Sequence, residues 1–394
     1  MRRKTLLVAG AAVVVAVAAG GVSAFLSSDS TGGGRPRAAA AAPGRVAAAG
    51  APPVRALLVI GEKRVTLVTL QGRRLRVPLR LQQLPRGVSP DGRFVARATK
   101  AAVLIGGVRG GPWRTVLRST CGDCEPIPSF AWGPGGRLLA VVANQDTGGI
   151  LRIVDRGGRV VRSFRLLTGS CSPPFRCTSP SGPDPVSHRV VAWRGGRLFL
   201  IRNQPSLVKL VALDIRSGAS RELGAGCDVS VDAFSPDGRL VAVRGGCLHS
   251  GYSSVTDAAT GRSVLSCSDD PLRCRGRGAW VPPKGVRSGA LVGAPDGTVF
   301  RSLVELHGDP VSPASWRTTI DRISRDGKRV VVLGPTTDGL VPLLALPSSL
   351  VYGRGSRETG AWTLHLLDLK TGRDRVLLHG PSGGGDVLPL SRLP

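Results

Sequence analysis

Short apolar runs alternate with turn residues along this chain at a regular interval. The pattern recurs six times, as GVSPDGRFVARA (87–98), FAWGPGGRLLAVVA (130–143), VAWRGGRLFLIR (191–202), AFSPDGRLVAVR (233–244), AWVPPKGVRSGALVG (279–293) and RISRDGKRVVVLG (322–334). In each copy an apolar stretch enters a Pro/Gly/Asp turn and leaves as a second apolar strand. Pro presets φ at the first central position, Asp accepts local backbone hydrogen bonds, and Gly takes the positive φ that closes the turn. Each copy therefore predicts a β-hairpin. The flanks are nearly continuous Val, Leu, Ile and Phe, as expected of strands packed on both faces. The turns begin at Ser89, Gly133, Arg194, Ser235, Pro282 and Ser324, with successive spacings of 44, 61, 41, 47 and 42 residues. Short strands with a period of ~40–50 residues are the mark of propeller blades.

A second turn follows about 20 residues later, at Asp155–Gly158, Asp214–Gly218, Asp257–Gly261 and Asp368–Gly372. It joins a third strand to a fourth, so each blade is a four-stranded meander. Arg55–Leu81 supplies three strands without an innermost one, and Asp386–Leu393 is placed to supply it and close the ring. The expected fold is all-β: a β-propeller of about seven four-stranded blades, with six or eight as the alternatives. Ser89-Pro-Asp-Gly92 and Ser235-Pro-Asp-Gly238, with Ser324-Arg-Asp-Gly327 close behind, precede apolar strands and later Asp-x-x-Thr-Gly turns. Over about residues 84–380 this resembles the Pro-Asp repeat of TolB-like propellers, relatives of the WD40-type propellers. The resemblance implies an exported interaction module. It says little of activity, because Asp91, Gly92, Asp237, Gly238, Asp326 and Gly327 form turns and not a site.

The N-terminus points to export. Arg2, Arg3 and Lys4 precede an uncharged stretch from Thr5 to Ser28. Cleavage after Ala24 competes with retention of residues 1–26 as an apolar membrane helix, since about 20 residues cross a bilayer. Residues 27–53 are Ala, Gly, Pro and Ser with a few Arg, a flexible tether that favours the anchor. Residues 54–394 would form the propeller outside the membrane. Eight cysteines lie between 121 and 274. In an oxidising compartment they predict disulfides. Cys227 and Cys247 are equidistant from Asp237, so an antiparallel hairpin sets them opposite one another. Proximity pairs Cys121 with Cys124, Cys171 with Cys177 and Cys267 with Cys274. All eight are expected on the face of the ring opposite the regular turns.

Gly334–Gly360 reads as an insertion on that same face. Its apolar segment Leu340–Tyr352, with Leu340, Leu343, Leu344, Leu346 and Tyr352, is either a lid over the ring or a contact for a partner. No catalytic, cofactor or metal motif is present. His188, His249, His307 and His379 are scattered and read as solvated loop residues, and His365 falls in a strand. Of 54 basic residues only seven are Lys, and the formal net charge is +28. Such a charge attracts polyanions. Export and the scarcity of aromatic residues argue against nucleic acid. Two functions follow: a monomeric, non-enzymatic scaffold that binds a protein or an anionic envelope polymer and meets the membrane through its N-terminal segment, or an enzyme or small-ligand binder that uses the central channel.

Overall fold

A computed structural model describes residues 53–391, apart from 62–64, 100–101, 119–128, 146–147, 167–186, 205–206, 236, 248–249, 270–271, 277–285, 308–315, 357–358 and 381–385. The expected N-terminal helix and nearly all of the tether lie outside these residues, as do Cys121, Cys124, Cys171, Cys177, His249 and the Pro282 turn. No helix among the described residues is long and apolar enough to cross a membrane.

The strands form seven antiparallel sheets, the blades of a propeller. Blade 1 opens with β1 (Ala56–Ile60), β2 (Val65–Thr69) and β3 (Arg74–Leu75), and a short helix α1 (Leu79–Gln83) leads on. Blade 2 contains β4 (Phe94–Ala98), β5 (Ala102–Gly107) and β6 (Gly110–Arg118), with a single Val88–Val95 bridge in place of an innermost strand. Blade 3 is β7 (Ser129–Trp132), β8 (Leu138–Gln145), β9 (Gly148–Asp155) and β10 (Val160–Arg165). Blade 4 is β11 (Ser187–Arg194), β12 (Arg197–Gln204), β13 (Leu207–Asp214) and β14 (Ser220–Gly226). Blade 5 has five strands: β15 (Asp228–Phe234), β16 (Leu240–Cys247), β17 (Ser250–Asp257), β18 (Ser263–Asp269) and β19 (Leu272–Gly276). Blade 6 is β20 (Val286–Gly293), β21 (Val299–Leu306), β22 (Trp316–Ile323) and β23 (Arg329–Thr336). Blade 7 is β24 (Gly339–Ala345), β25 (Ser349–Gly355), β26 (Trp362–Asp368) and β27 (Asp374–Gly380). β28 (Asp386–Leu390) then returns to pair with β1 from Ala56–Leu390 to Ile60–Asp386, which closes the ring.

Each pair of neighbouring blades buries an apolar cluster between its sheets. Blades 3 and 4, for example, enclose Val142, Leu151, Trp193 and Leu200, and blades 7 and 1 enclose Leu57, Val68, Val351 and Leu364. Burial on both faces explains why the strands read as apolar runs and not as strict alternations.

The turns owe their shape to a few polar groups. In Ser235–Gly238 the serine hydroxyl donates to Asp237 Oδ1 at 2.6 Å and accepts from Leu240 N at 2.8 Å, with Gly238 at φ 69°. Ser89 and Asp91 repeat this geometry, with Gly92 at φ 68°.

Two of the six copies occupy places other than their spacing suggests. Ser324–Gly327 joins β22 to β23, the outer hairpin of blade 6, and does not open blade 7. Residues 286–293 form the innermost strand of blade 6, and the turn that follows is Ala294–Thr298. There Gly297 takes φ 87° and Thr298 N donates to Asp296 Oδ1 at 2.9 Å. The Gly334–Gly360 segment is consequently no insertion. Leu340–Tyr352 is the inner hairpin of blade 7, with Leu340, Leu344, Leu346 and Tyr352 buried in the blade interfaces. The misplacement has a physical cause: inner and outer hairpins close with the same Asp–Gly chemistry, so a turn does not announce which of the two it serves.

Candidate functional site

The innermost strands of the ring enclose a cavity of about 690 Å³ that runs along the central channel. Its walls are largely apolar, with Val231 and Phe234 from β15, Leu343 and Leu344 from β24, and Leu388 from β28. Leu343, expected in an inserted lid or partner contact, instead lines this channel from β24. Six charged side chains converge on the same space. Arg86 meets Asp386 at 2.6 Å and Arg244 meets Asp232 at 3.1 Å. These two pairs cancel their own charges.

Arg194 and Asp237 line the cavity where the turns of blades 4 and 5 meet. Removal from water pushes the Arg194 pKa down. Sequence reasoning assigns Arg194 to the start of a turn and Asp237 to a turn acceptor. Neither residue lies within a ligand-binding motif, because the channel lining is drawn from positions as distant as Val54 and Ser391.

The other turn residues are structural in place. Asp91 accepts within its own turn through Oδ1, and its second oxygen takes Arg156 Nη2 from blade 3 at 2.7 Å. Asp326 and Gly327 sit in the outer turn of blade 6, with Gly327 at φ 88°. Cys227 and Cys247 are joined with Cα atoms 4.8 Å apart, and Cys267 is joined to Cys274 across β18 and β19 at 4.0 Å. The fifth strand of blade 5 thus carries a disulfide that staples it to the fourth.

The histidines are only partly in loops. His188 lies in β11 and is buried, contrary to a solvated reading. Burial, aided by the Arg202 cation, pushes its pKa down to about 4. His365 Nδ1 lies 2.9 Å from Asp374 Oδ2, and its Nε2 lies 2.8 Å from Thr363 Oγ1. The Tyr352 hydroxyl donates to the same Asp374 oxygen at 2.8 Å, and its ring stacks on the imidazole. This arrangement resembles a nucleophile–base–acid relay. It lies in the outer region of blade 7, away from the channel, and Asp374 is shared with the tyrosine, so it reads as packing. No group of three metal-ligating side chains occurs among the described residues.

On the outside of the ring, the last strands of several blades carry exposed arginines. Arg114 and Arg118 lie on β6, Arg162 and Arg165 on β10, Arg221 on β14 and Arg375 on β27. Arg162 donates to main-chain carbonyls of Ile215 and Arg216 in the neighbouring blade. A carbonyl leaves the positive charge uncompensated.

No protein-family model matches the chain, and no curated protein matches it. Among solved structures the chain is similar to the putative TolB from Agrobacterium tumefaciens, at 15% identity over 70% of this chain and 87% of that one, with a TM-score of 0.36. It is also similar to the β-propeller domain of the Trilobed protease from Pyrococcus furiosus, at 11% identity over 63% and 70% of the two chains, with a TM-score of 0.37. Prolyl oligopeptidase B from Galerina marginata matches at 10% identity over 76% of this chain and 42% of its own, with a TM-score of 0.44. The chain spans less than half the length of that enzyme. These likenesses concern the shape of the ring and nothing further.

Proposed function

We propose that this protein is an exported propeller, tethered to the membrane by its N-terminal segment, that acts as a binding scaffold and holds an anionic envelope polymer against its arginine-bearing rim. The observation that carries this reading is the set of exposed arginines on the outermost strands of blades 2, 3, 4 and 7. A formal net charge of +28 adds long-range attraction. The Ser-Pro-Asp-Gly repeat, with its resemblance to interaction propellers, agrees with it.

The test is binding of the full chain, in detergent, to polygalacturonate at several salt concentrations. Replacing Arg118, Arg165, Arg221 and Arg375 together by Ser should weaken binding at least tenfold at low salt and flatten its salt dependence, because fewer screened contacts remain. Equal binding by the wild-type protein and the fourfold variant would refute the rim. Retention of the full chain in membranes after alkaline washing tests the tether.

A further inference from the structure

The charges of the central channel are matched along most of its length and unmatched at one end. Arg86 and Asp386 close on each other, and so do Arg244 and Asp232. Where the inner turns of blades 4 and 5 meet, Arg194 and Asp237 both line the cavity. Gly238, next to Asp237, packs so tightly on the arginine that a Cβ there would lie 2.2 Å from Arg194 Cβ. The two side chains nevertheless do not pair. Among the described residues, the Arg194 side chain makes one hydrogen bond, from Nη1 to the Trp193 carbonyl at 3.3 Å, lies 6.0 Å from the centre of the Phe234 ring, and meets no carboxylate. Asp237 engages Oδ1 with the Ser235 hydroxyl at 2.6 Å and the Arg239 amide at 3.0 Å. Its Oδ2 has no partner among the described residues.

A cation and a carboxylate oxygen, neither paired with a counter-charge among the described residues, thus line one cavity of about 690 Å³. That volume falls within the ~300–1,000 Å³ typical of small-ligand sites. Partial withdrawal of Arg194 from water, which lowers its pKa, raises the gain from an incoming anion. The carboxylate beside it opposes a multiply charged anion, as the guanidinium opposes a simple cation. Beyond these two charges and the two matched ion pairs the walls are largely apolar, with Val231, Phe234, Leu343 and Leu388.

We propose that this end of the channel binds a small zwitterion of the amino-acid class with an apolar side chain, its carboxylate on the Arg194 guanidinium and its ammonium on Asp237 Oδ2. A guanidinium fork matches a carboxylate in two parallel hydrogen bonds. The ammonium completes Asp237, and the side chain lies on the apolar wall. This inference goes beyond the rim and is independent of it, since it uses none of the rim arginines.

Calorimetric titration of the full chain tests it, with L-leucine, glycyl-L-leucine, N-acetyl-leucine, leucinamide and inorganic phosphate as probes. Leucine should bind. N-acetyl-leucine, which lacks the ammonium, and leucinamide, which lacks the carboxylate, should each bind at least tenfold more weakly. Glycyl-leucine distinguishes a free amino acid from a peptide terminus: tighter binding than leucine would assign the site to peptides of the same zwitterionic chemistry. Arg194→Gln should remove the difference between leucine and leucinamide. Asp237→Asn, which keeps an acceptor for the turn, should remove the difference between leucine and N-acetyl-leucine. The ligand series needs no mutation, so a variant that fails to fold leaves the test intact. Absence of binding by both leucine and glycyl-leucine, equal binding of leucine and N-acetyl-leucine, or phosphate binding tighter than leucine would overturn the proposal.

Discussion

Arg301 and Asp321 are both fully buried, in blade 6, and hold each other through two hydrogen bonds of 3.2 and 2.8 Å. The third guanidinium nitrogen points at the Cys267–Cys274 disulfide, 3.2 Å from Cys274 Sγ. Asp321→Asn would leave a guanidinium in the interior without its full counter-charge. Breaking a buried pair in this way costs ~3–5 kcal/mol, so a fall in melting temperature of roughly 10 °C is expected by circular dichroism. Arg329 also meets Asp321, at 2.5 Å, so replacing all three together, with Met at 301 and 329 and Leu at 321, should cost much less. His188 supplies a second expectation. Its pKa is about 4 in the folded protein against an ordinary 6.5, so between these values the unfolded chain binds the proton and the folded one does not. The contribution to stability is full above about pH 6.5 and is lost as pH falls toward 4, by ~3 kcal/mol. His188→Leu should flatten that stretch of the curve of melting temperature against pH. A wild-type curve with no slope between pH 6.5 and 4 would contradict the assignment.

At the scale of single elements, the hairpins were the most legible feature of the sequence, because each one is specified by its own residues. Ser235–Gly238 fixes its turn with two side chains and a glycine, and the symmetric placement of Cys227 and Cys247 about Asp237 matches the register in which Asp228 faces Gly246. Removing that disulfide by Cys→Ser at both positions should lower stability by about 3 kcal/mol, from the loop of some 20 residues it closes. Matched denaturant melts of the two proteins would measure it. What the sequence did not reveal is which hairpin a turn belongs to. Ser324–Gly327 closes an outer hairpin with the residues of an inner one, and Ala294-Pro-Asp-Gly297, the inner turn of blade 6, begins one residue after the copy assigned to that blade. That shift turned the inner hairpin of blade 7 into an apparent loop at Leu340–Tyr352. The channel site was hidden for another reason. Arg194 and Asp237 lie 43 positions apart and become neighbours only because adjacent blades bring their turns together. Each has a sufficient local explanation on its own.

For the molecule as a whole, stability depends on closing the ring. β28 lends its five residues to blade 1, and Ser391 continues the contact by donating its amide and hydroxyl to the Pro90 carbonyl of blade 2 at 2.9 and 3.0 Å. Deleting residues 386–394 would expose the edge of β1 and remove the fully buried Leu390. Loss of that one side chain costs ~2–5 kcal/mol, so with the ladder gone the melting temperature should drop by at least roughly 10 °C. An unchanged transition in scanning calorimetry would show that the ring holds without its clasp. The direction of the clasp has a mechanical consequence. β1 starts at Ala56 opposite Leu390, so the chain enters and leaves the ladder at the same end. A pull between residues 55 and 391 therefore loads the ladder at that end alone, and its pairs break in sequence from Ala56–Leu390 toward Ile60–Asp386. The same closure that resists heat as a unit would unzip under tension, and the first blade to lose its shape would be the one that holds both ends of the chain.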